Sequence, residues 1–307
     1  VRPEQAIIDR IRAKSGPSRL ALGIGDDCAI FRPKSKSEEL VFTTDMFIED
    51  VHFRRETHTP AQVGYKALAR GLSDIAAMGA EPRFCLLSVA FPKWATDQWI
   101  DRFFDGLLAL ARETGTELAG GDLSHAAVFA SDIVVCGSAP TGTALRRSGA
   151  KPGDSIYVSG AVGGSALGLA AVLSRDRQGA VPQRTAWKRH VHPEPRLALG
   201  RHLRGKASAA MDVSDGLALD LHRLCQASNV SAEIEAPPIF KGATLDQALY
   251  GGEDYELLFT ARPDKRFPKS LTGVPITRIG QIKRGNPGQI KLNGEALAIK
   301  GYDHFAQ

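Results

Sequence analysis

Leu68, Gly71, Leu72, Ile75 and Met78 recur at three- and four-residue spacing, the period of one helix face. Thr59 and Pro60 stand where a helix takes its cap and first residue, and Gly79 with Pro82 stands where it ends. A second amphipathic helix is expected with Asp97 as its cap and Ile100, Phe103, Phe104, Leu107 and Leu110 turned inward. Short apolar runs at 84–91 and 128–136 fit strands, and 42–53 reads as a strand running into an irregular loop. Residues 4–14 fit a short helix. The second half alternates in the same way. Strands are expected at 155–159, 209–213, 231–234, 256–261, 276–282 and 290–292, and helices at 165–174, 196–203 and 217–227. Residues 175–192 read as a polar insert. Asn293-Gly294 is a type I′ turn signal before a last strand at 296–299.

Strands mixed with helices in both halves imply an α/β or mixed α+β class. The stretch 137–154 is rich in Gly, Pro, Ser and Arg, so the expected domains are 1–140 and 141–307. Hydrophobic residues are 43% and charged residues 24% of 307, a balance that fits a globular chain and excludes a disordered one. No apolar stretch approaches the ~20 residues of a membrane helix, and no apolar signal region follows Val1-Arg2-Pro3-Glu4. The expected location is the cytoplasm, with no membrane partner. The four cysteines, Cys28, Cys85, Cys136 and Cys225, are scattered, which disfavours a disulfide scaffold and a zinc knuckle. The formal charge of +5 is compatible with nucleic acid or with small anions. The basic residues form no unbroken block and no RNA-binding aromatic motif accompanies them, so nucleic acid is set aside.

The acidic residues change the picture. Asp26-Asp27, Asp45, Asp74, Asp122, Asp212, Asp215 and Glu253-Asp254 sit beside glycines or at expected element ends rather than scattered among Lys and Arg on helix faces. A carboxylate beside an apolar stripe, as at Asp74, must be paired, protonated or metal-bound. Arg70, one turn before it, is a local ion-pair partner and the plainer reading. With Thr43 and Thr44, the acids also make a hard-oxygen set suited to Mg²⁺, and His and Cys show no zinc spacing. Several Mg²⁺ ions suggest phosphate chemistry. No Walker A or protein-kinase motif is present, and the acids after Gly23-Ile24-Gly25 argue against a dinucleotide fingerprint. The turn from Gly160 to Gly164 before a helix either offers N–H groups to an anion or is only a tight turn. Arg146-Arg147 either grips phosphate or is an exposed pair.

Nine segments then fall in one order: GIGDDCAIF at 23–31, TTDMFIEDVHF at 43–53, YKALARGLSDIAAMGAEP at 65–82, AGGDLS at 119–124, LRRSGAKPGDSIYVSG at 145–160, HPEPRLALG at 192–200, MDVSDGLALDL at 211–221, GGEDYELLFT at 251–260 and GYDHF at 301–305. Together they resemble the thiamine-monophosphate kinase family, within the aminoimidazole ribonucleotide synthetase-like ATP-binding superfamily. The start, Arg2-Pro3-Glu4-Gln5, departs from the family's Gly-Glu-Phe opening. The resemblance implies a two-domain fold whose N-terminal sheets pair into a dimer barrel, hence a homodimer. It implies ATP-dependent phosphorylation of thiamine monophosphate to thiamine diphosphate. It also implies that Asp27, Thr43, Thr44, Asp45, Asp74, Asp122, Asp212 and Asp215 hold Mg²⁺, with Asp45, Asp74, Asp122 and Asp212 central to catalysis. Phe104, Gly121, Asp122, Arg147 and Ser214 match ATP contacts; His52, Glu253 and Tyr302 match positions around the thiamine phosphate. An acid such as Glu253 beside the cationic thiazolium is electrostatically sensible, and Tyr302 suits stacking on a flat ring. Phe104 also reads as core, His52 as a surface histidine and Tyr302 as C-terminal packing. A selenophosphate-forming relative would carry a reactive Cys or selenocysteine in a glycine-rich N-terminal segment, and none stands here. A metal-binding module without nucleotide turnover would share the acids, and ADP release separates the two.

Overall fold

The computed structural model describes residues 21, 26, 28–33, 37–174 and 181–303. The helix expected at 4–14 lies outside them. In the first half β1 (Ala29–Phe31), β2 (Glu38–Ile48), β3 (Glu81–Phe91), β4 (Glu117–His125) and β5 (Ala130–Pro140) form a sheet in the order β1-β2-β5-β3-β4. Two helices, α1 (Pro60–Ala77) and α2 (Asp97–Thr114), cover one face of it. β3 and β4 run parallel and α2 is the crossover between them. Side chains alternate as the pleat requires: Val41, Thr43 and Phe47 of β2 are buried, and Thr44 and Met46 are exposed on the other face. Among the described residues no helix lies against that other face.

The sequence of α1 explains its place. Thr59 makes a capping box with Gln62, and Pro60 opens the helix, a device that stabilises by about 1 kcal/mol. Gly64 and Gly106 let α1 and α2 touch backbone to backbone. A Cβ on Gly64 would stand 1.9 Å from the Phe103 carbonyl oxygen, and one on Gly106 1.9 Å from that of Ala61. The helix is buried on nearly every side, Lys66 and Ser73 included. Its other flank meets the second half.

That half begins with β6 (Ser155–Ser159), α3 (Gly164–Leu173), α4 (Val181–Val191), α5 (Leu197–Leu203) and β7 (Ala209–Val213). It continues with α6 (Leu217–Ala227), β8 (Ser231–Ile234), α7 (Leu245–Tyr250), β9 (Glu256–Ala261), β10 (Ser270–Leu271), β11 (Val274–Lys283), β12 (Ile290–Leu292) and β13 (Glu295–Ala296). Its sheet runs β13-β12-β8-β11-β6-β9-β7, with β10 on β11. Leu197, Leu199 and Leu203 of α5, with Leu257 and Phe259 of β9, share one apolar cluster with Leu68, Leu72 and Ile75. The core around α1 is therefore common to both halves, and a second cluster lies under α6. No helix among the described residues is long and apolar enough to cross a membrane.

The architecture is the expected mixed α/β one, with several local differences. The cap of α2 is Thr96, whose hydroxyl accepts from the Trp99 N–H, so Asp97 is the first helical residue. Pro82 does not end a helix but lies inside β3, where the register with β5 slips between Pro82 and Phe84 and spares the missing N–H. Gly120-Gly121-Asp122 is not a turn; it lies within the edge strand β4. The polar insert at 175–192 holds a helix, α4, with Ala186, His190 and Val191 buried. Asn293 and Gly294 both take positive φ, 51° and 88°, in the turn joining β12 to β13.

Candidate active site

Lys66, Arg70, Ser73 and Asp74 recur at three- and four-residue spacing and make a polar stripe on α1. Each is matched from another element. Lys66 Nζ lies 2.8 Å from Glu253 Oε1. Arg70, considered above as a local partner for Asp74, reaches β2: its guanidinium lies 2.6 Å from Asp45 Oδ1 and donates to the Met46 carbonyl at 2.7 Å. Ser73 Oγ donates to Asp212 Oδ2 at 2.7 Å. Thr43 Oγ1 donates to Asp74 Oδ2 at 2.5 Å. One helix thus aligns β2 of the first half with the end of β7 and the loop before β9 of the second.

Backbone bonds tie the second-half segments together. The Glu253 N–H donates to Ser214 O at 2.7 Å, Tyr255 to Val213 O at 2.9 Å, and Tyr302 to Asp215 O at 2.9 Å. Asp220, on the apolar side of LALDLHRL, is fully buried and accepts the Ser214 and Asp215 N–H groups at 3.0 Å each. Arg223 bridges Asp215 and Asp220. Glu253 and Tyr255 have φ of 65° and 50°, conformations that cost a non-glycine residue about 1–2 kcal/mol each. The surrounding bonds must hold them there.

Charge is concentrated at this junction. Burial raises the Asp45 pKa; Arg70 opposes the rise, and Asp132, Asp215 and Glu253 add to it. At Glu253 burial also acts upward, but Lys66, His190 and Arg70 outweigh it and hold the carboxyl down at about 2. Burial and the Lys66 charge push His190 down to about 3 and His58 to about 4. Both rings are therefore neutral near pH 7. Lys66 only donates, so His190 Nε2, 3.4 Å away, accepts and the ring proton sits on Nδ1. Nδ1 is 2.8 Å from Ser165 Oγ and 3.4 Å from Glu253 Oε2. His52 has the opposite tautomer, because the Ile48 N–H donates to its Nδ1 at 3.0 Å and leaves the proton on Nε2. Its ring stacks on Phe47, 5.6 Å between centroids.

His58 gives a pH prediction. Its Nδ1 bonds Thr57 Oγ1 at 2.9 Å, and its Nε2 has no hydrogen-bond partner among the described residues. The folded pKa lies below the unfolded one, so the stability gained by keeping the ring neutral is full above pH ~6.5 and lost as pH falls through ~4. His58→Phe keeps the ring contacts with Phe53, Trp187 and His190. Between pH ~6.5 and ~4 the variant should lose about 2–3 kcal/mol less than wild type in urea unfolding. Equal losses would assign the acid sensitivity to other groups.

Of the residues singled out in the sequence, Thr43, Asp45, Asp74, Asp212, Ser214, Asp215, Glu253 and Tyr302 come together around α1. Tyr302 is 43% exposed. Arg147 lies within electrostatic reach of Arg223 beside Asp215, and its N–H donates to the Asp26 carboxylate at 3.1 and 3.3 Å. Asp27 lies outside the described residues. Thr44 is not with Thr43. It faces the uncovered side of the sheet and donates to Asp132 at 2.6 Å. Asp122 is exposed on that same side of β4, in register with Ser88 and through it with Asp132. Three strand spacings separate β4 from β2, about 14 Å. Gly121 is beside it, and a Cβ there would stand 1.8 Å from the Leu87 carbonyl oxygen. Phe104 is half-buried in an aromatic group with Phe91 and Phe103. In the turn at 160–164 the Gly160 and Val162 N–H groups donate to the Pro275 and Pro238 carbonyls. Asp254 takes the Gly163 and Ser165 N–H groups with its two carboxylate oxygens.

Sequence reasoning missed Lys66, Ser73, Asp132, His190 and Asp220 as partners. The spacing of Lys66, Arg70 and Ser73 within an otherwise apolar helix was the available signal for the first two, and the acid inside LALDLHRL for Asp220. The donors gathered from the sequence set are all oxygens, which suits a hard divalent cation rather than zinc. Among the described residues no three His, Cys, Asp or Glu converge closely enough to hold an ion by themselves. Water and phosphate oxygens would complete such a site.

The family described as AIR synthase related protein, N-terminal domain, matches residues 25–139, and its C-terminal counterpart matches 151–293. The thiamine-monophosphate kinase of Salmonella typhimurium is 39% identical, over 97% of this chain and 95% of that protein. Among solved structures, AaThiL complexed with AMPPCP and TMP superposes with a TM-score of 0.89 at 31% identity, covering 99% of this chain and 97% of that one. The thiamine-monophosphate kinase of Stenotrophomonas maltophilia gives 0.79 at 38% identity, covering 96% and 98%. With the polar stripe of α1 joining the two matched domains, the chain belongs to the thiamine-monophosphate kinase family, built on the AIR synthase related pair of domains.

Proposed function

We propose that the protein transfers the γ-phosphoryl group of ATP to thiamine monophosphate, giving thiamine diphosphate and ADP. The observation that carries this reading is the likeness, over nearly the whole chain, to a structure holding AMPPCP and TMP. The acceptor is a phosphate monoester, and its oxygen is anionic near neutral pH. It needs no strong general base to attack the γ-phosphorus as the bond to the β-phosphate oxygen breaks. The barrier to overcome is the approach of two polyanions.

Asp27, Thr43, Thr44, Asp45, Asp74, Asp122, Asp212 and Asp215 are proposed to hold Mg²⁺. Bound there, the ions would screen phosphate oxygens and stabilise the charge that develops on the leaving group. The chain's own residues orient the partners. Thr43, Ser73 and Arg70 fix the Asp74, Asp212 and Asp45 carboxylates from one side. Asp220 fixes the Ser214–Asp215 turn. Gly121, Arg147 and Ser214 are assigned to the nucleotide, with Phe104 near its adenine. His52, Glu253 and Tyr302 are assigned to the acceptor. The Glu253 charge is already balanced by Lys66, so its part is a fixed hydrogen-bond acceptor rather than a counter-ion for the thiazolium. In this reading 1–140 supplies most of the metal ligands, and 141–307 adds Arg147, Asp212, Ser214 and Asp215 to the nucleotide and metal side and Glu253 and Tyr302 to the acceptor side.

The face of the first sheet that no described helix covers, with Met46 53% and Leu86 39% exposed, and β4 an edge strand among the described residues, support a homodimer in which a second copy covers that face. Such a dimer would bring Thr44, Gly121 and Asp122 to the interface. Light scattering at micromolar concentration should give about twice the chain mass. A fully active monomer would remove the dimer from the mechanism. Four buried free cysteines fit the reducing cytoplasm as its place of action. The test of the activity is ADP release against a panel of acceptors: thiamine monophosphate should accelerate it and free thiamine should do so poorly. Stimulation by a different small anion alone would place the chain elsewhere in the superfamily.

A further inference from the structure

Lys66 is fully buried and crosses the boundary between the halves. Its ammonium touches Glu253 Oε1 at 2.8 Å and His190 Nε2 at 3.4 Å. His190 Nδ1 in turn bonds Ser165 Oγ at 2.8 Å and stands 3.4 Å from Glu253 Oε2. Both carboxylate oxygens of Glu253 are thus engaged from behind, by α1 on one side and by α3 and α4 on the other. A quarter of the Glu253 side chain stays exposed. Its backbone takes a φ of 65° and bonds Ser214 O, which sets it at the rim of the acidic junction. A buried ion pair is a weak device for stability, since apolar replacements often serve as well. It is a strong device for fixing geometry, because a stranded charge is costly in every other arrangement.

We propose that Lys66 is a positioning residue for the acceptor site, holding the Glu253 carboxylate across the domain boundary in the orientation that meets thiamine monophosphate, with Ser165 and His190 fixing the second oxygen. This rests on the assignment of Glu253 to the acceptor made above. Lys66 does not touch substrate. It acts only through Glu253, so its loss changes acceptor recognition and leaves the nucleotide side alone.

The test uses the full chain with ATP and thiamine monophosphate. Lys66→Met, close in volume and uncharged, should raise the apparent KM for thiamine monophosphate about ten-fold while the KM for ATP moves less than about two-fold. Ser165→Ala, a milder change that keeps the fold if Lys66→Met does not, should give about a three-fold rise in the same KM alone. In a Glu253→Gln background, either change should add less than about two-fold, because the residue it acts through is already altered. A fall in melting temperature with both KM values unmoved, equal rises in both, or full multiplicative effects on top of Glu253→Gln would overturn the positioning role. Wild-type protein that ignores thiamine monophosphate would instead remove the acceptor assignment, and the positioning role with it.

Discussion

Replacing Asp74 by asparagine is expected to lower turnover by about 10–100-fold while the protein stays folded. The side chain stands on the flank of α1 that faces β2, with Thr43 Oγ1 donating to it. Asparagine has the same size and keeps a carbonyl oxygen for that bond, so packing around Leu72, Ile75 and Met78 is not disturbed. The negative charge is what disappears. In the proposed mechanism that charge holds a cation against phosphate oxygens, and the chain offers no adjacent spare acid on the same helix turn. Raising Mg²⁺ should recover part of the lost rate. Circular dichroism and urea unfolding check the fold, and ADP release checks the rate. Near-normal turnover across a Mg²⁺ titration would take Asp74 out of the mechanism.

The second large effect falls on stability. Glu253→Ala leaves Lys66 buried without its carboxylate, and breaking a buried pair in this way costs about 3–5 kcal/mol. The alanine must also hold the positive φ of Glu253 without the side-chain bonds that now help impose it. Glu253→Gln keeps an oxygen for Lys66 and should cost only about 1 kcal/mol. The two variants therefore separate the two parts of this residue. Alanine should show the fold loosening at the junction, and glutamine the weaker acceptor binding with the fold intact. Unfolding midpoints in urea, measured side by side, decide it. Two variants of equal stability would mean that Lys66 finds another partner.

Much of this was legible from residue order alone. α1 was readable because its apolar positions keep the helical period and Thr59-Pro60 marks its start. α6 at Leu217–Ala227 was readable for the same reason, and the Asn293-Gly294 turn from its backbone demands. β4 was not. Gly120-Gly121 breaks any strand pattern, and the strand is exposed along nearly its whole length, so no alternation marks a buried face. α4 was missed because Arg184, Lys188 and Arg189 dominate a helix with little apolar surface to bury. The acids of the site were recognisable as a set, since most of them stand beside Gly, Ser or Thr rather than among Lys and Arg, although Asp74 lies on a helix face. Their partners were not, because Lys66 with Glu253, Ser73 with Asp212 and Asp254 with the 160–164 turn join positions far apart in the chain. Which face Thr44 and Asp122 occupy also depends on strand register, a property of the folded sheet.

The direct passage of phosphoryl from ATP to thiamine monophosphate can be followed by label. Incubating the full chain with Mg²⁺, γ-labelled ATP and thiamine monophosphate, then separating the products, tests it most directly. The account predicts that the label appears in thiamine diphosphate in a one-to-one ratio with ADP. Label released as inorganic phosphate, with no thiamine diphosphate formed, would contradict it.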